Sequence, residues 1–308
     1  MPGTQALVEP DDGPRAVAVE AMATRFELLV WDEGDPARLR AAGEEALAEI
    51  TRAEGRLSRF RSTSEIAWVN AAAGGPPVRL SPPVFDLVAR SVELARLTGG
   101  AFDPTVGPLL QAWGLRGSGT PGDPGSVARA RGLVGAERLE LDEAARTVRL
   151  PEPGMELDLG GIGKGAAVDE AVALLRESGV HTALLHGGTS SVHSIGESPD
   201  GGPWRVGWHV PGEDAPRVVE LASGRPALAV SAPHGRTAGD GERTRGHVID
   251  PRSGEPTRAA ATALVSGLSS TLCDALSTAL LVLGPEGVSL LERRFPGYRA
   301  EVVGSRPL

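Results

Sequence analysis

Apolar and polar positions alternate over short runs of this 308-residue chain and recur at helical spacing over longer ones. From Arg15 on, the segment AVAVEAMATRFELLVW is typical of extended, β-rich structure, interrupted around residues 22–24. Asp35 before Pro36 predicts the start of a helix. A second helix is predicted from Ser81-Pro82-Pro83 to Gly99-Gly100. The apolar positions that these two helices turn inward are Leu39, Leu47, Ile50, Val84, Phe85, Val88 and Leu94.

The remaining chain mixes strands and helices irregularly. Residues 138–151 predict a β-hairpin, followed by a short strand ending at Asp158, and a helical pattern runs over 166–178. Strands are predicted on both sides of the 186–188 turn. Further strands are expected over 204–210, 218–221 and 298–303, and a long apolar helix from about 271 to 283. This interleaving favours an α+β fold over a doubly wound sheet.

Composition narrows the class of protein. A chain that is 41% hydrophobic and 23% charged can build one large domain or two ordinary ones. The net charge of −9 is spread over mixed signs, so a nucleic-acid surface has no support. The single cysteine, Cys273, excludes an intramolecular disulfide framework and a cysteine-built zinc site.

The N-terminal residues 1–14 are polar and rich in Pro and Gly, which predicts a flexible leader. They lack a basic stretch followed by an apolar run, and no stretch approaches about 18 apolar residues. We therefore expect neither export nor a membrane anchor, and a cytoplasmic location.

All but one of the 31 basic residues are arginines, and the exception is Lys164. It lies in Asp158–Asp169 (DLGGIGKGAAVD), where a glycine-rich turn before a helix suits an anion such as phosphate. Gly161 to Ala166 spells a dinucleotide pattern, but the next strand lacks the expected acidic end. A Walker A loop is excluded because Gly165 follows the lysine. The alternative is a tight turn with one surface lysine.

Three other segments carry chemistry. Asp274 and Thr278 share a face of the most apolar helix, where two oxygen ligands suit Mg²⁺, although Asp274 could instead cap the helix or meet a buried arginine. His247, beside the Asp-Pro turn, is the candidate acid or base. Asp103 lies in the aromatic loop 100–108, with an N-cap role as its alternative. Phe60, between two arginines, could pack a planar ring.

Together these segments resemble the ApbE family of flavin transferases, which move FMN from FAD onto a threonine of a partner protein. The resemblance covers most of the chain, and the order and spacing of its short motifs make it specific. The motifs are Met22-Ala23-Thr24, LSRFRSTSEIAWVN (57–70), GGAFDPTVGPLLQAWG (99–114), DLGGIGKGAAVDEAVALL (158–175), the HGG turn (186–188), HVIDPRSGEP (247–256) and CDALSTALLVLG (273–284).

The resemblance implies a role for each matching residue. Asp274 and Thr278, with the carbonyl of Ala167, would hold Mg²⁺, and His247 would activate the acceptor hydroxyl, which makes His247 and Asp274 the catalytic pair. It also implies one large α+β domain over 15–308, with mixed, largely antiparallel sheets and packed helices. The residues that would line the FAD site are Met22, Phe60, Ala101, Phe102, Asp103, Lys164 and Ile249.

The implied activity is a Mg²⁺-dependent transfer of the FMN moiety of FAD to a threonine hydroxyl of an acceptor protein, with release of AMP and a phosphoester-linked flavin as product. The alternatives are an FAD pyrophosphatase, in which water replaces the hydroxyl, and a non-catalytic flavin-binding protein. The chain departs from the family pattern at two places. Thr189 stands where Asp is common, and Val230-Ser231-Ala232 stands where Thr-Ser-Gly is common.

Overall fold

The computed structural model describes residues 14–116, 120, 122–188, 190–210, 213–232, 237–238, 245–246, 248–257 and 262–304. The leader prediction concerns residues that, apart from Pro14, lie outside this part. The strands are β1 (Arg15–Ala21), β2 (Thr24–Val30), β3 (Val78–Arg79), β4 (Glu140–Asp142), β5 (Thr147–Arg149), β6 (Ala183–Gly187), β7 (Ser191–Ile195), β8 (Trp204–Trp208), β9 (Arg217–Leu221), β10 (Ala227–Ser231), β11 (Thr237–Ala238), β12 (Arg245–Gly246), β13 (Thr262–Gly267) and β14 (Arg299–Val303). The α-helices are α1 (Pro36–Leu57), α2 (Glu65–Ala71), α3 (Pro82–Leu97), α4 (Gly107–Ala112), α5 (Pro124–Arg131), α6 (Gly163–Glu177), α7 (Ser270–Leu283) and α8 (Gly287–Arg294).

A seven-stranded sheet in the order β1-β2-β6-β7-β10-β13-β14 forms the centre of the fold. Every pair of neighbours in it is antiparallel. Smaller antiparallel sheets are built from β3-β5-β4, β8-β9 and β11-β12. The predicted α+β fold with largely antiparallel sheets is therefore confirmed.

The first hairpin turns at the predicted interruption. Ala21 pairs with Thr24, and the two residues between them, Met22 and Ala23, have φ angles of 51° and 59°. Residues other than glycine rarely adopt this left-handed backbone conformation. The turn is held from outside, because the Met22 N–H donates to the Glu54 carboxylate on α1 at 2.9 Å.

Helices α1, α6 and α7 cover one face of the central sheet. Asp35 begins α1 by accepting a hydrogen bond from the Ala37 N–H at 3.0 Å, as its sequence predicted. Helix α6 packs between α1 and α7. By length and composition Ser270–Arg294 could cross a membrane, but 61% of its apolar window is buried inside the protein. Helix α7 is thus a core helix in this fold.

The opposite face of the sheet is covered by the β8–β9 hairpin. Trp204, Trp208 and Leu221 of the hairpin form a buried cluster with Leu228 and Leu264 of β10 and β13. The apolar side chains that alternate along the sheet therefore face two different layers. Residues at the ends of β6 and β10, among them His186 and Ser231, line the cavity described below.

One predicted strand is not formed. In the part of the chain that the structure describes, residues 155–158 belong to no strand. The Asn70 amide instead satisfies the backbone of Leu157, accepting from its N–H at 2.7 Å and donating to its carbonyl at 3.0 Å. The Asp158 N–H donates to the Pro104 carbonyl at 2.7 Å. The preceding hairpin is confirmed by β4 and β5.

Candidate active site

A cavity of about 1060 Å³ brings most of the predicted site residues together. They come from the β1–β2 turn, from the loops after α1 and α3, from the start of α6, from the turn near 249 and from α7. The spacing of these residues along the sequence does not by itself predict that they lie close together. The predicted residues that line the cavity are Met22, Phe60, Ala101, Phe102, Asp103, Lys164, Ile249, Asp274 and Thr278.

The glycine-rich turn leads into α6 at Gly163, so Lys164 lies on the first helical turn. Several backbone N–H groups here already donate within the protein: Gly160 to Asp158, Gly163 to Leu159, and Gly165 to Asp274. Most of the N–H groups that we expected to be free for an anion therefore already donate hydrogen bonds within the protein. For an anion, what the turn offers is the Lys164 ammonium and the positive end of the helix dipole.

The Asp274 carboxylate lies directly beside Lys164. It is 4% exposed, one oxygen accepts from the Gly165 N–H at 3.0 Å, and the other lies 3.6 Å from the lysine Nζ. The alternative that Asp274 caps its helix is wrong, because Ser269 is the N-cap. Its cationic neighbour is a lysine rather than the arginine we considered. The pair balances a charge that would otherwise be costly to bury.

Hydroxyl groups lie beside the backbone of Asp274, whose carbonyl accepts from Ser277 Oγ at 3.0 Å and from Thr278 Oγ1 at 3.1 Å. Thr278 lies one turn further along α7, and Ser231 Oγ is 3.4 Å from Thr278 Oγ1 and 2.8 Å from Ser277 Oγ. Carboxylate and hydroxyl oxygens are hard donors of the kind that Mg²⁺ prefers. No group of three His, Cys, Asp or Glu suited to a metal occurs among the described residues. A magnesium ion at Asp274 would therefore rely on one carboxylate, neutral oxygens and the ligand.

One predicted residue, Ala167, is not brought to this cluster. Ala167 is fully buried against α1 and does not line the cavity. Its carbonyl lies inside α6, where the helical hydrogen-bond ladder uses it. The backbone of the glycine-rich turn does lie beside the cluster, because a Cβ placed at Gly161 would be 3.1 Å from Thr278 Oγ1. His247 lies outside the described residues, although Val248 and Ile249 after it line the cavity.

Asp103 fixes the loop that presents Ala101 and Phe102 to the cavity. Its carboxylate accepts from the Thr105 N–H at 2.7 Å, the Thr105 hydroxyl at 2.6 Å and the Ala136 N–H at 3.0 Å. Burial raises the pKa of Asp103, although these hydrogen bonds oppose the shift. It is not the N-cap of the next helix, because α4 begins at Gly107.

A charged wall at the cavity was missed by the sequence reasoning. Arg59 lies 3.1 Å from Glu156 and 3.2 Å from Asp158, and Arg116 contacts the same two carboxylates. Burial, with the charge of Arg116 beside it, lowers the pKa of Arg59. Its guanidinium lies 3.9 Å from the ring centroid of Phe60, which is 68% exposed. Arg116 lies in no motif from which its contacts could have been predicted.

The model of one known protein family matches most of this chain. The model of the ApbE family matches residues 22–301. The chain belongs to the ApbE family. The match includes every cavity residue named above, and the ApbE-family chain is accordingly an enzyme of the transferase class.

Individual relatives of this ApbE-family chain carry the name FAD:protein FMN transferase. One from Klebsiella pneumoniae is 34% identical, over 72% of this chain and 71% of its own length. One from Treponema pallidum is 30% identical, over 91% and 81%. Among solved structures, the chain is similar to apo flavinyl transferase ApbE from Pseudomonas stutzeri. The two sequences are 30% identical, and the structures match with a TM-score of 0.80 over 96% of each chain.

Proposed function

We propose that this flavin transferase moves the FMN moiety of FAD, with Mg²⁺, to a threonine hydroxyl of an acceptor protein and releases AMP. The observation that carries the proposal is the cavity itself. It is large enough for a dinucleotide, and it places the Lys164 ammonium and the Asp274 carboxylate side by side at its wall. Phosphoryl transfer needs this kind of positioning and charge neutralisation.

Lys164 has the position to hold the FAD pyrophosphate. Its ammonium lies on the first turn of α6, where the helix dipole also favours negative charge. The side chain retains about a quarter of its exposure, which leaves it able to reach a ligand. Asp274 keeps the ammonium in place at 3.6 Å.

Asp274 and the Thr278 hydroxyl are the proposed Mg²⁺ ligands. The ion, when bound, would neutralise charge on the pyrophosphate oxygens. The carboxylate is held by the Gly165 N–H and buried from water, so its direction is fixed before any ligand arrives. Ser231 supplies a further hydroxyl next to Thr278, although its segment departs from the family pattern.

The chemical step is an in-line displacement. The threonine oxygen forms a bond to the phosphorus on the FMN side, and the bond from that phosphorus to the bridging oxygen breaks, so AMP leaves with the oxygen. We assign the proton of the attacking hydroxyl to His247, which remains a prediction from the sequence. No enzyme nucleophile is required, and burial raises the pKa of the Cys273 thiol well above its ordinary value. A cytoplasmic location likewise remains a prediction.

The test is flavinylation of an acceptor peptide that contains the family's target threonine, incubated with enzyme, FAD and MgCl₂ and read by in-gel flavin fluorescence. Asp274→Asn keeps the side-chain volume and removes the charge. We expect the rate to fall at least about 100-fold, because a bound metal contributes several kcal/mol. The matched control is Asp123→Asn, which alters the N-cap of α5 instead. Undiminished labelling with Asp274→Asn would contradict the metal assignment.

A further inference from the structure

Asp169 on α6 binds the first turn of a different helix, α7. Its carboxylate accepts from the Ser270 N–H at 2.8 Å and the Thr271 N–H at 2.9 Å, and from the Ser269 and Thr271 hydroxyls at 2.7 Å each. The first N–H groups of a helix have no partner within the helix. Asp169 satisfies two of them from outside, and its charge matches the helix dipole.

His193 joins the same cluster from β7. Its Nδ1 lies 2.7 Å from Ser270 Oγ and 3.5 Å from the Asp169 carboxylate, and the ring is almost fully buried. The start of α7 is thereby tied to both α6 and the central sheet. The side chains of Asp169, His193 and Ser270 do not line the cavity.

Asp169 lies four residues after Gly165, so both face α7 from the same side of α6. A Cβ at Gly165 would be 2.2 Å from the Ser270 carbonyl oxygen and 2.9 Å from the Asp274 Cβ, which shows how closely the helices cross. The two helices therefore touch at two successive turns. One contact holds the start of α7, and the other sets the Asp274 carboxylate against the Gly165 N–H.

We propose that Asp169 is a positioning residue for the transfer reaction. Asp169 holds the first turn of α7 against α6. It thereby fixes the position of Asp274, one turn later on α7, beside Lys164 and at the cavity wall. The inference rests on the proposed function, because it assumes that Asp274 binds Mg²⁺. The inference adds Asp169 to the residues that support transfer, as one that contacts neither the ligand nor the metal.

A purely structural cap would act differently. The apolar side chains of α7, among them Cys273, Leu276 and Leu280, are fully buried in the main core, and Ser269 still caps the helix through the Leu272 N–H. Loss of Asp169 therefore leaves α7 in the core and frees its first turn to shift. The expected effect is on metal affinity beyond any effect on folding.

The experiment measures Mg²⁺ binding by thermal unfolding over a series of MgCl₂ concentrations, each protein relative to itself in EDTA. ADP is present throughout, because it supplies a pyrophosphate without a flavin to transfer. A ligand of the folded state raises the Tm with its concentration, which yields an apparent Kd. A structural role lowers the Tm in EDTA and leaves this Kd unchanged.

For Asp169→Asn we expect the apparent Kd for Mg²⁺ to rise about 10-fold or more, as is common when a residue supporting a metal ligand is lost. Thr271→Val removes a single hydrogen bond to Asp169 and should raise the apparent Kd for Mg²⁺ about 2- to 10-fold. This variant tests the proposal if Asp169→Asn does not fold. Asp123→Asn, an N-cap change on α5, should leave it unchanged.

An unchanged Kd in a folded Asp169→Asn or Thr271→Val variant overturns the positioning role while the proposed function stands. If the wild-type Tm shows no response to Mg²⁺ at all, the proposed metal site fails, and the inference fails with it.

Discussion

Gly165→Ala tests whether the crossing of α6 and α7 sets the site. The added Cβ would lie 2.2 Å from the Ser270 carbonyl oxygen and 2.9 Å from the Asp274 Cβ. Since carbon contacts are comfortable near 3.5 Å, the two helices must separate locally by roughly 1 Å. Both clashing atoms belong to the backbone or its first side-chain carbon, so no flexible group can move aside.

The magnitude follows from three effects. Overpacking costs about 1–3 kcal/mol, and loss of the Gly165 N–H bond to the buried carboxylate costs about 1.5–3 kcal/mol. The higher helix propensity of alanine returns about 0.5–1 kcal/mol. We therefore expect the free energy of unfolding to fall by about 1.5–5.5 kcal/mol, together with weaker Mg²⁺ binding.

Urea unfolding followed by circular dichroism measures this change. Gly55→Ala is the matched control, because Gly55 lies in α1 and a Cβ there would meet nothing within 4 Å. That variant should be more stable than wild type by about 0.5–1 kcal/mol. A Gly165→Ala protein as stable as wild type would refute the tight crossing on which the site geometry depends.

Two further predictions concern charge. Lys164→Arg keeps the charge but enlarges the head group beside Asp274, so FAD should bind at least about threefold more weakly in flavin fluorescence titrations in EDTA; equal affinity would make Lys164 an ordinary surface lysine. Although burial opposes it, hydrogen bonds from His193, Thr271 and Ser269 hold the pKa of Asp169 well below its ordinary 3.8. Its contribution to stability is therefore present above that value and is lost as pH falls. The urea midpoints of wild type and Asp169→Asn should differ at about pH 6 and converge at acid pH, and a constant gap would contradict this linkage.

Local signals predicted much of the fold. Asp35 before Pro36 begins α1 in the structure as in the sequence, and α3 starts at the predicted Pro82. The strand ending at Asp158 could not be predicted correctly, because the Asn70 amide, 87 residues away from Leu157, takes the place of a neighbouring strand. Local propensity does not register such a partner.

The site was predicted in its residue types and less well in its contacts. Nine of the predicted residues line the cavity, because motif residues identify chemistry without needing the fold. Ala167 differs because it is fully buried in the core between α6 and α1 and does not line the cavity. The close approach at Gly165 and the Arg116 contact with Glu156 depend on tertiary packing. A sequence pattern carries no signal for either.

The products of one reaction test the central claim most directly. Enzyme, FAD, MgCl₂ and the acceptor peptide are incubated together, and AMP, free FMN and flavinylated peptide are quantified by chromatography. Transfer predicts equal amounts of AMP and flavinylated peptide, with little free FMN. If AMP is matched by free FMN while the peptide stays unlabelled, the enzyme is a pyrophosphatase and the account of acceptor transfer is contradicted.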